Sequence, residues 1–143
     1  MAVVEINKKG NIFVVTLNDP VTGNAINAET LSAHRQVLSE LEAVSENSAV
    51  VVTSSDTKSW CVGLDFEWIE GQSAEQFENT FKEMEEVFGR WALLALPTVA
   101  CVTGHCMAGG GVCSGARHGE HCSFCVGGAS DPRIMSLALA WCV

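Results

Sequence analysis

Two segments of the chain carry residue types suited to holding a ligand against the backbone. The first is Ser59-Trp60-Cys61-Val62-Gly63-Leu64-Asp65-Phe66. The second is Gly104-His105-Cys106-Met107-Ala108-Gly109-Gly110-Gly111. Glycine permits positive φ and lets a ligand come close to the main chain. If a helix starts at such a point, its first N–H groups face the ligand and its dipole favours developing negative charge. Either segment taken alone is equally well a tight turn or bend. Two of them, each following a short apolar strand, are less ordinary, because ligands of open α/β sheets bind just past strand ends.

The elements that position these segments can be read from periodicity. Residues 2–6 and 12–17 alternate and are β-branched, and Asn7-Lys8-Lys9-Gly10-Asn11 supplies turn chemistry between them, so a hairpin is expected. A polar loop over 18–27 contains Pro20 and Gly23, and Asn27 is suited to cap a helix over 28–45. In that helix Leu31, Leu38, Leu41 and Val44 recur at helical spacing, away from Glu29, Arg35, Glu40 and Glu42. Residues 49–53 read as a strand buried on both faces, and so do 98–103. Between them Ser73 and Gln76 form a capping box for a helix reaching about residue 94. Its expected core stripe is Phe77, Phe81, Met84, Phe88 and Trp91, and Leu96-Pro97 ends it. The order β-β-α-β-α-β, with helical crossovers between strands, implies an α/β fold with parallel strands in one domain.

Composition narrows the function classes. With 143 residues and 48% apolar content the chain is expected to be globular, with one core. The net charge of −9, with 15 of the 17 acidic residues at or before Glu86, argues against nucleic acid and anionic membrane surfaces. No apolar run approaches the roughly 18 residues of a membrane span. The opening MAVVEINKKG lacks the charge order of a signal peptide, so a cytoplasmic protein is expected. Six of the seven cysteines fall at or after Cys101; an odd number without a secretion signal does not read as a disulfide framework. Cys61 and Cys101 read as buried thiols acting as small apolar residues.

Three stretches resemble, in order, the motifs of the enoyl-CoA hydratase/isomerase (crotonase) superfamily. Asp19-Pro20-Val21-Thr22-Gly23-Asn24-Ala25-Ile26-Asn27 resembles its Arg-Pro…Asn-Ala-Leu-Asn loop. Trp60-Cys61-Val62-Gly63-Leu64-Asp65-Phe66 resembles its Phe-(Cys/Ser)-Ala-Gly-(Ala/Leu)-Asp-Leu segment. The stretch from Leu96-Pro97-Thr98 through Thr103-Gly104-His105 to Gly109-Gly110-Gly111 resembles its glycine-triplet segment. The resemblance covers residues 2–112 and leaves 113–143 as an atypical tail of the same domain. It implies a crotonase-like ββα spiral, incomplete at the C-terminus, assembled as a homo-oligomer (a trimer or a hexamer of two trimers). The implied substrate is an acyl-CoA or enoyl-CoA thioester, handled without a resident cofactor or metal. The N–H groups of Leu64 and Gly110 would form an oxyanion hole. Asn24, Ala25, Ile26, Val62, Gly63, Asp65, Gly109 and Gly111 would line the substrate and CoA site. Fixed donors aimed at the thioester oxygen are worth roughly 3–4 kcal/mol each in mutational terms.

The pattern departs from the family in three places. Family members often carry Arg or Lys before the loop Asn, where this chain has Gly23; Lys8, Lys9 or Lys58 would have to serve the CoA phosphates. Hydratases carry Glu shortly after the glycine triplet, where this chain has Cys113. The second family acid falls close to Arg133, leaving Asp131 as the nearest acid/base candidate, with Glu120 behind it. The missing Glu favours isomerisation over hydration, or else a non-catalytic acyl-CoA-binding or oligomer-forming relic of the fold. The tail changes abruptly in cysteine, glycine and acid content, as a truncated or frame-shifted reading would. A competing reading makes His118, His121, Cys122 and Cys125, with Cys113, a zinc site. Adjacent His121 and Cys122 close one tetrahedron with difficulty, and His105 reads as structural.

Overall fold

The N-terminal hairpin closes through two residues. In the computed structural model, which describes residues 2–107 and the backbone of 125–127, β1 (Val4–Lys9) and β2 (Ile12–Leu17) pair antiparallel with Lys9 opposite Ile12. Gly10, at φ 59°, provides the positive φ that a type II′ turn needs at its first central position. Asn7, Lys8 and Lys9, expected in the turn, belong to β1 instead. That strand is the sheet edge, where lysines discourage pairing with another chain.

Helix α1 (Ala28–Glu42) starts at Asn27, whose side chain accepts from the Thr30 N–H while the Thr30 hydroxyl accepts from the Asn27 N–H. This capping box holds the entry of the helix. Strand β3 (Ala49–Ser54) then pairs parallel with β2, placing Val14 against Val51. After a short loop come β4 (Ser59–Cys61), the one-turn helix α2 (Phe66–Glu70) and the long helix α3 (Ala74–Leu93), which opens with the Ser73–Gln76 capping box. Strand β5 (Thr98–Ala100) pairs parallel with β3; β6 (His105–Cys106) pairs parallel with β4; β7 (Cys125–Gly127) pairs antiparallel with β5. The larger sheet has the order β1-β2-β3-β5-β7.

A repeat that the sequence does not announce governs this arrangement. Each turn of chain lays one strand in the larger sheet (β2, β3, β5) and then one extended piece in the smaller (Ile26, β4 with Leu64, β6). The isolated parallel bridge Ile26↔Leu64 ties the first piece to the second, and the β4–β6 ladder ties the second to the third. The result is a spiral of ββα turns, in which equivalent points of successive turns are neighbours.

Burial follows the two sheet faces. Phe13, Val15, Leu17, Val50, Val52 and Ala100 join Leu31, Leu38 and Leu41 of α1 and Met84 and Val87 of α3 in the main core. On the other face Ala49, Val51 and Val99 form a smaller cluster with Ile12 and Cys101. The strands β3 and β5 are therefore apolar on both sides, as their runs of small β-branched residues implied. The helices are laced by Arg90, which meets Glu42 through Nε (2.9 Å) and Nη2 (2.8 Å), and by Arg35 with Glu83 and Glu86.

Three expectations need correction. The stripe of α3 is buried at Thr80, Met84 and Val87, whereas Phe77 and Phe81 stand 39% and 38% exposed. The two rings pack on one another instead, with centroids 5.0 Å apart, on a side of α3 that no described element covers. Strand β5 stops at Ala100 instead of running to residue 103, because the chain turns away there to enter the smaller sheet. Cys101, expected to be buried, is half-buried for the same reason.

Candidate active site

The loop before α1 is built around Asn24. It lies at φ 59°, a left-handed conformation that Asn tolerates better than most residues, and its side chain is buried. Its Oδ1 accepts from the Asp19 N–H at 2.8 Å. Its Nδ2 donates to Ser54 Oγ and to the Trp60 carbonyl, both at 2.9 Å. The amide thus fastens the loop to the end of β3 and to β4 at once. Ala25 and Ile26 are buried behind it, and the Ala25 carbonyl accepts from the Thr30 hydroxyl at 3.1 Å.

Gly23 explains one departure from the family pattern. It lies at φ 71°, and a Cβ there would come within 2.9 Å of Val62 Cγ1 and 3.4 Å of Ser59 Cβ. The Gly23 carbonyl accepts from the Val62 N–H at 3.1 Å. A long basic side chain has no room while Val62 keeps its place. Of the lysines considered as replacements, Lys8 is bonded to Glu46, in the loop between α1 and β3. Lys58 is exposed and adjoins Ser59, beside the Gly23 position.

The segment after β4 is held on one side only. The Ile26 N–H donates to the Gly63 carbonyl at 2.7 Å, and the Asp65 N–H donates to the Ile26 carbonyl at 3.0 Å. Gly63, buried and at φ 94°, makes the turn between them. In a parallel bridge of this pattern the N–H of the middle residue points away from the partner strand. That residue is Leu64, and among the described residues its N–H has no hydrogen-bond acceptor. Asp65 fixes the far end: Oδ1 accepts from the Trp68 N–H at 3.1 Å as the cap of α2, and Oδ2 accepts from Asn27 Nδ2 at 3.2 Å. Asp65 is therefore a fixture of the turn.

The third turn of the spiral brings residues 104–107 alongside β4. The His105 N–H donates to the Lys58 carbonyl at 2.8 Å and the Met107 N–H to the Cys61 carbonyl at 3.0 Å. Gly104 makes this approach possible: a Cβ there would lie 2.5 Å from the Lys58 carbonyl carbon and 2.7 Å from Ser59 N. His105 is exposed and takes part through its backbone. Gly109, Gly110, Gly111 and Asp131 lie outside the described residues, as do Cys113, Glu120, His118, His121 and Cys122.

Sequence reasoning missed the Asn27–Asp65 link, helix α2 and the role of Gly104. An Asp followed by Phe66-Glu67-Trp68-Ile69 carries a short-helix signal, since Asp at an N-cap satisfies the first free N–H groups. Nothing local marked Gly104 as a contact point, because its neighbour in space is 46 residues away in the chain.

A spiral of ββα turns with two sheets, one strand of each laid down per turn, defines a crotonase-fold scaffold. The sequence pattern of the enoyl-CoA hydratase/isomerase family matches residues 7–115, and the chain belongs to that family. It is 34% identical over 107 residues to the short-chain-enoyl-CoA hydratase of Clostridium acetobutylicum, covering 75% of this chain and 41% of that protein. Its fold matches the crystal structure of an enoyl-CoA hydratase from Bacillus anthracis with a TM-score of 0.74 at 18% identity, over 78% of this chain and 44% of that one. The enoyl-CoA hydratase of Thermoplasma volcanium matches with a TM-score of 0.70 at 24% identity, over 77% and 44%. The chain spans less than half the length of each of these relatives. Among the described residues no helix is long and apolar enough to cross a membrane.

Proposed function

We propose that this chain supplies the carbonyl-binding half of a crotonase-type enzyme acting on an enoyl-CoA or acyl-CoA thioester. The observation that carries the proposal is the Leu64 N–H, which lacks an acceptor among the described residues while its flanking residues are bonded to Ile26 on the opposite side. A thioester oxygen placed against it gains negative charge when the α-proton leaves or when water adds to the conjugated double bond. A preorganised N–H in a site closed to water stabilises that charge more than the ground state. Gly110 N–H is assigned as the second donor, entered from Met107, and Gly109 and Gly111 flank it. Asn24, Ala25 and Ile26 support the floor, Val62 and Gly63 shape the turn, and Lys58 is the cation assigned to the CoA phosphates. The substrate is itself the coenzyme A thioester, and no resident cofactor or metal is invoked. The proposal extends to a cytoplasmic homo-oligomer, trimer or hexamer. The apolar side chains of Phe66, Phe77, Phe81 and Leu93 on the surface support an assembled state.

A second reading is favoured by one observation. Asp65, the carboxylate adjoining Leu64, is spent on the α2 cap and on Asn27. Proton transfer then falls to Asp131 or Glu120, with isomerisation preferred to hydration. If neither serves, the chain binds acyl-CoA without turnover.

Calorimetric titration with a saturated acyl-CoA, with free CoA as control, tests the primary proposal. Saturable binding that depends on the acyl group is expected. A folded protein that binds neither ligand would sink it. Turnover of an enoyl-CoA then separates enzyme from binder.

A further inference from the structure

Cys61 and Cys106 occupy paired register positions in the β4–β6 ladder, 45 residues apart in sequence. Directly paired residues of neighbouring parallel strands present their side chains to the same face, on strands about 4.7–4.9 Å apart, inside the roughly 4.4–6.8 Å Cα separation that disulfides span. Both thiols belong to the main core cluster, Cys61 buried within it and Cys106 half-buried against it. The ladder around them is irregular: Ser59 pairs with His105 and Cys61 with Cys106, so Trp60 is an extra residue on the β4 side. Such a bulge gives the pair local freedom that a regular ladder would deny. We propose that Cys61 and Cys106 are a peroxide-sensitive dithiol that closes to a disulfide across β4 and β6.

The two thiols differ in a way that orders the reaction. Burial pushes the Cys61 thiol up to about 11, with the Gly63 backbone hydrogen bond opposing it and Cys106 adding to it. Cys61 is thus a neutral thiol near pH 7, and the less buried Cys106 is the attacking group. The Cys106 thiolate attacks one peroxide oxygen, the O–O bond breaks, and the leaving hydroxide takes a proton to become water. The sulfenic acid formed on Cys106 is then attacked by the Cys61 sulfur. The S–S bond forms, the S–O bond breaks, and the hydroxyl departs with the Cys61 proton as a second water. The thiols together lose two electrons and two protons, and one peroxide is reduced. The staple joins the strand leading into Val62-Gly63-Leu64 to the strand leading into Met107, fixing the spacing of the two segments independently of what they bind.

The test uses the full chain, treated with limiting hydrogen peroxide, quenched in acid, unfolded in guanidinium chloride, alkylated there with N-ethylmaleimide near neutral pH and mapped by mass spectrometry. A dithiothreitol-reversible crosslinked peptide joining Cys61 to Cys106 is expected, accumulating at the expense of both alkylated peptides. Cys106→Ser should abolish it and leave Cys61 alkylatable, while Cys101→Ser should leave it intact. Both cysteines remaining alkylatable while other thiols oxidise would overturn the proposal, as would Cys61 or Cys106 pairing with a different cysteine. If Cys106→Ser fails to fold, Cys101→Ser and the untreated chain still decide the pairing.

Discussion

Asn27 and Asp65, 38 residues apart, each cap a helix and are joined to one another by a 3.2 Å hydrogen bond from Asn27 Nδ2 to Asp65 Oδ2. One side chain starts α1 and the other α2, so the first and second turns of the spiral are registered at the point where Leu64 lies between them. Replacing Asp65 by Ala removes the cap of α2 and leaves Asn27 without its partner. A loss of about 1–2 kcal/mol is expected in urea unfolding. Asp65→Asn retains an oxygen for the Trp68 N–H but sets an NH2 group against Asn27 Nδ2, so it should recover only the share of the loss that belongs to the cap. Equal losses from Ala and Asn would mean that the bond to Asn27, and not the cap, is what matters.

Gly104 stands where a side chain would meet the main chain of β4 head-on, 2.5 Å from the Lys58 carbonyl carbon. Gly104→Ala should separate β6 from β4 and cost about 2–3 kcal/mol, the upper range for overpacking, since backbone gives way less readily than a side-chain tip. Gly89, where an added Cβ meets nothing within 4 Å, is the control within α3. Gly89→Ala should instead stabilise by about 0.5–1 kcal/mol through helix propensity. Denaturant midpoints for the two variants should therefore move in opposite directions.

What the chain revealed beforehand, and what it did not, follows from the range of the forces involved. The capping boxes at Asn27 and Ser73, and the paired faces of 49–54, depend on neighbours a few residues away, so their signals are in the local pattern. The hairpin turn was misplaced because Lys8 and Lys9 look like loop residues when their place on a sheet edge is unknown. Phe77 and Phe81 carry the same period as Met84, and periodicity cannot say which positions of a stripe another element covers. The motif around Gly63-Leu64-Asp65 was legible by resemblance. The same resemblance named Leu64 as an N–H donor. The positive φ of Gly63 and the engagement of Asp65 were not legible, since each depends on Ile26 and Asn27 from the previous turn. Gly23 is the intermediate case: its departure from the family's basic residue was visible, and its cause, the contact with Val62, needed the structure.

His34 gives the fold a dependence on acid. Its imidazole packs edge-on against Trp91, with ring centroids 5.9 Å apart, and its Nδ1 accepts from Trp91 Nε1 at 3.3 Å. Loss of solvent lowers its pKa from 6.5 to about 4. The unfolded chain therefore takes up a proton below pH 6.5 that the folded chain refuses until about pH 4. Stability present at neutral pH should fall across that window and level off below it, by about 2 kcal/mol once partial exposure is allowed for. His34→Gln keeps an acceptor for the indole without titrating. The difference in unfolding free energy between the two proteins, followed from pH 7.5 to 4, should change by that amount; a constant difference would contradict the assignment.

Gly63 and Leu64 separate the backbone of the proposed site from its side chains. At φ 94° Gly63 occupies a conformation that other residues reach only with strain of roughly 1–3 kcal/mol. Gly63→Ala should relax the turn and swing the Leu64 N–H away from its direction. Loss of one aligned donor corresponds to about 2.7–4 kcal/mol, or 10²–10³-fold, in turnover where the chain turns over an enoyl-CoA. Binding of a ground-state acyl-CoA should weaken by less, roughly tenfold for each 1.4 kcal/mol lost. Leu64→Ala keeps the N–H and removes a half-buried side chain, so it should lower stability while leaving acyl-CoA affinity within about threefold, a difference under 1 kcal/mol. Titration of both variants with the same acyl-CoA checks the contrast, provided each is first shown to be folded by its unfolding transition. If Leu64→Ala lost affinity and Gly63→Ala kept it, recognition would lie in the side chain at 64, and the N–H would have no place in it.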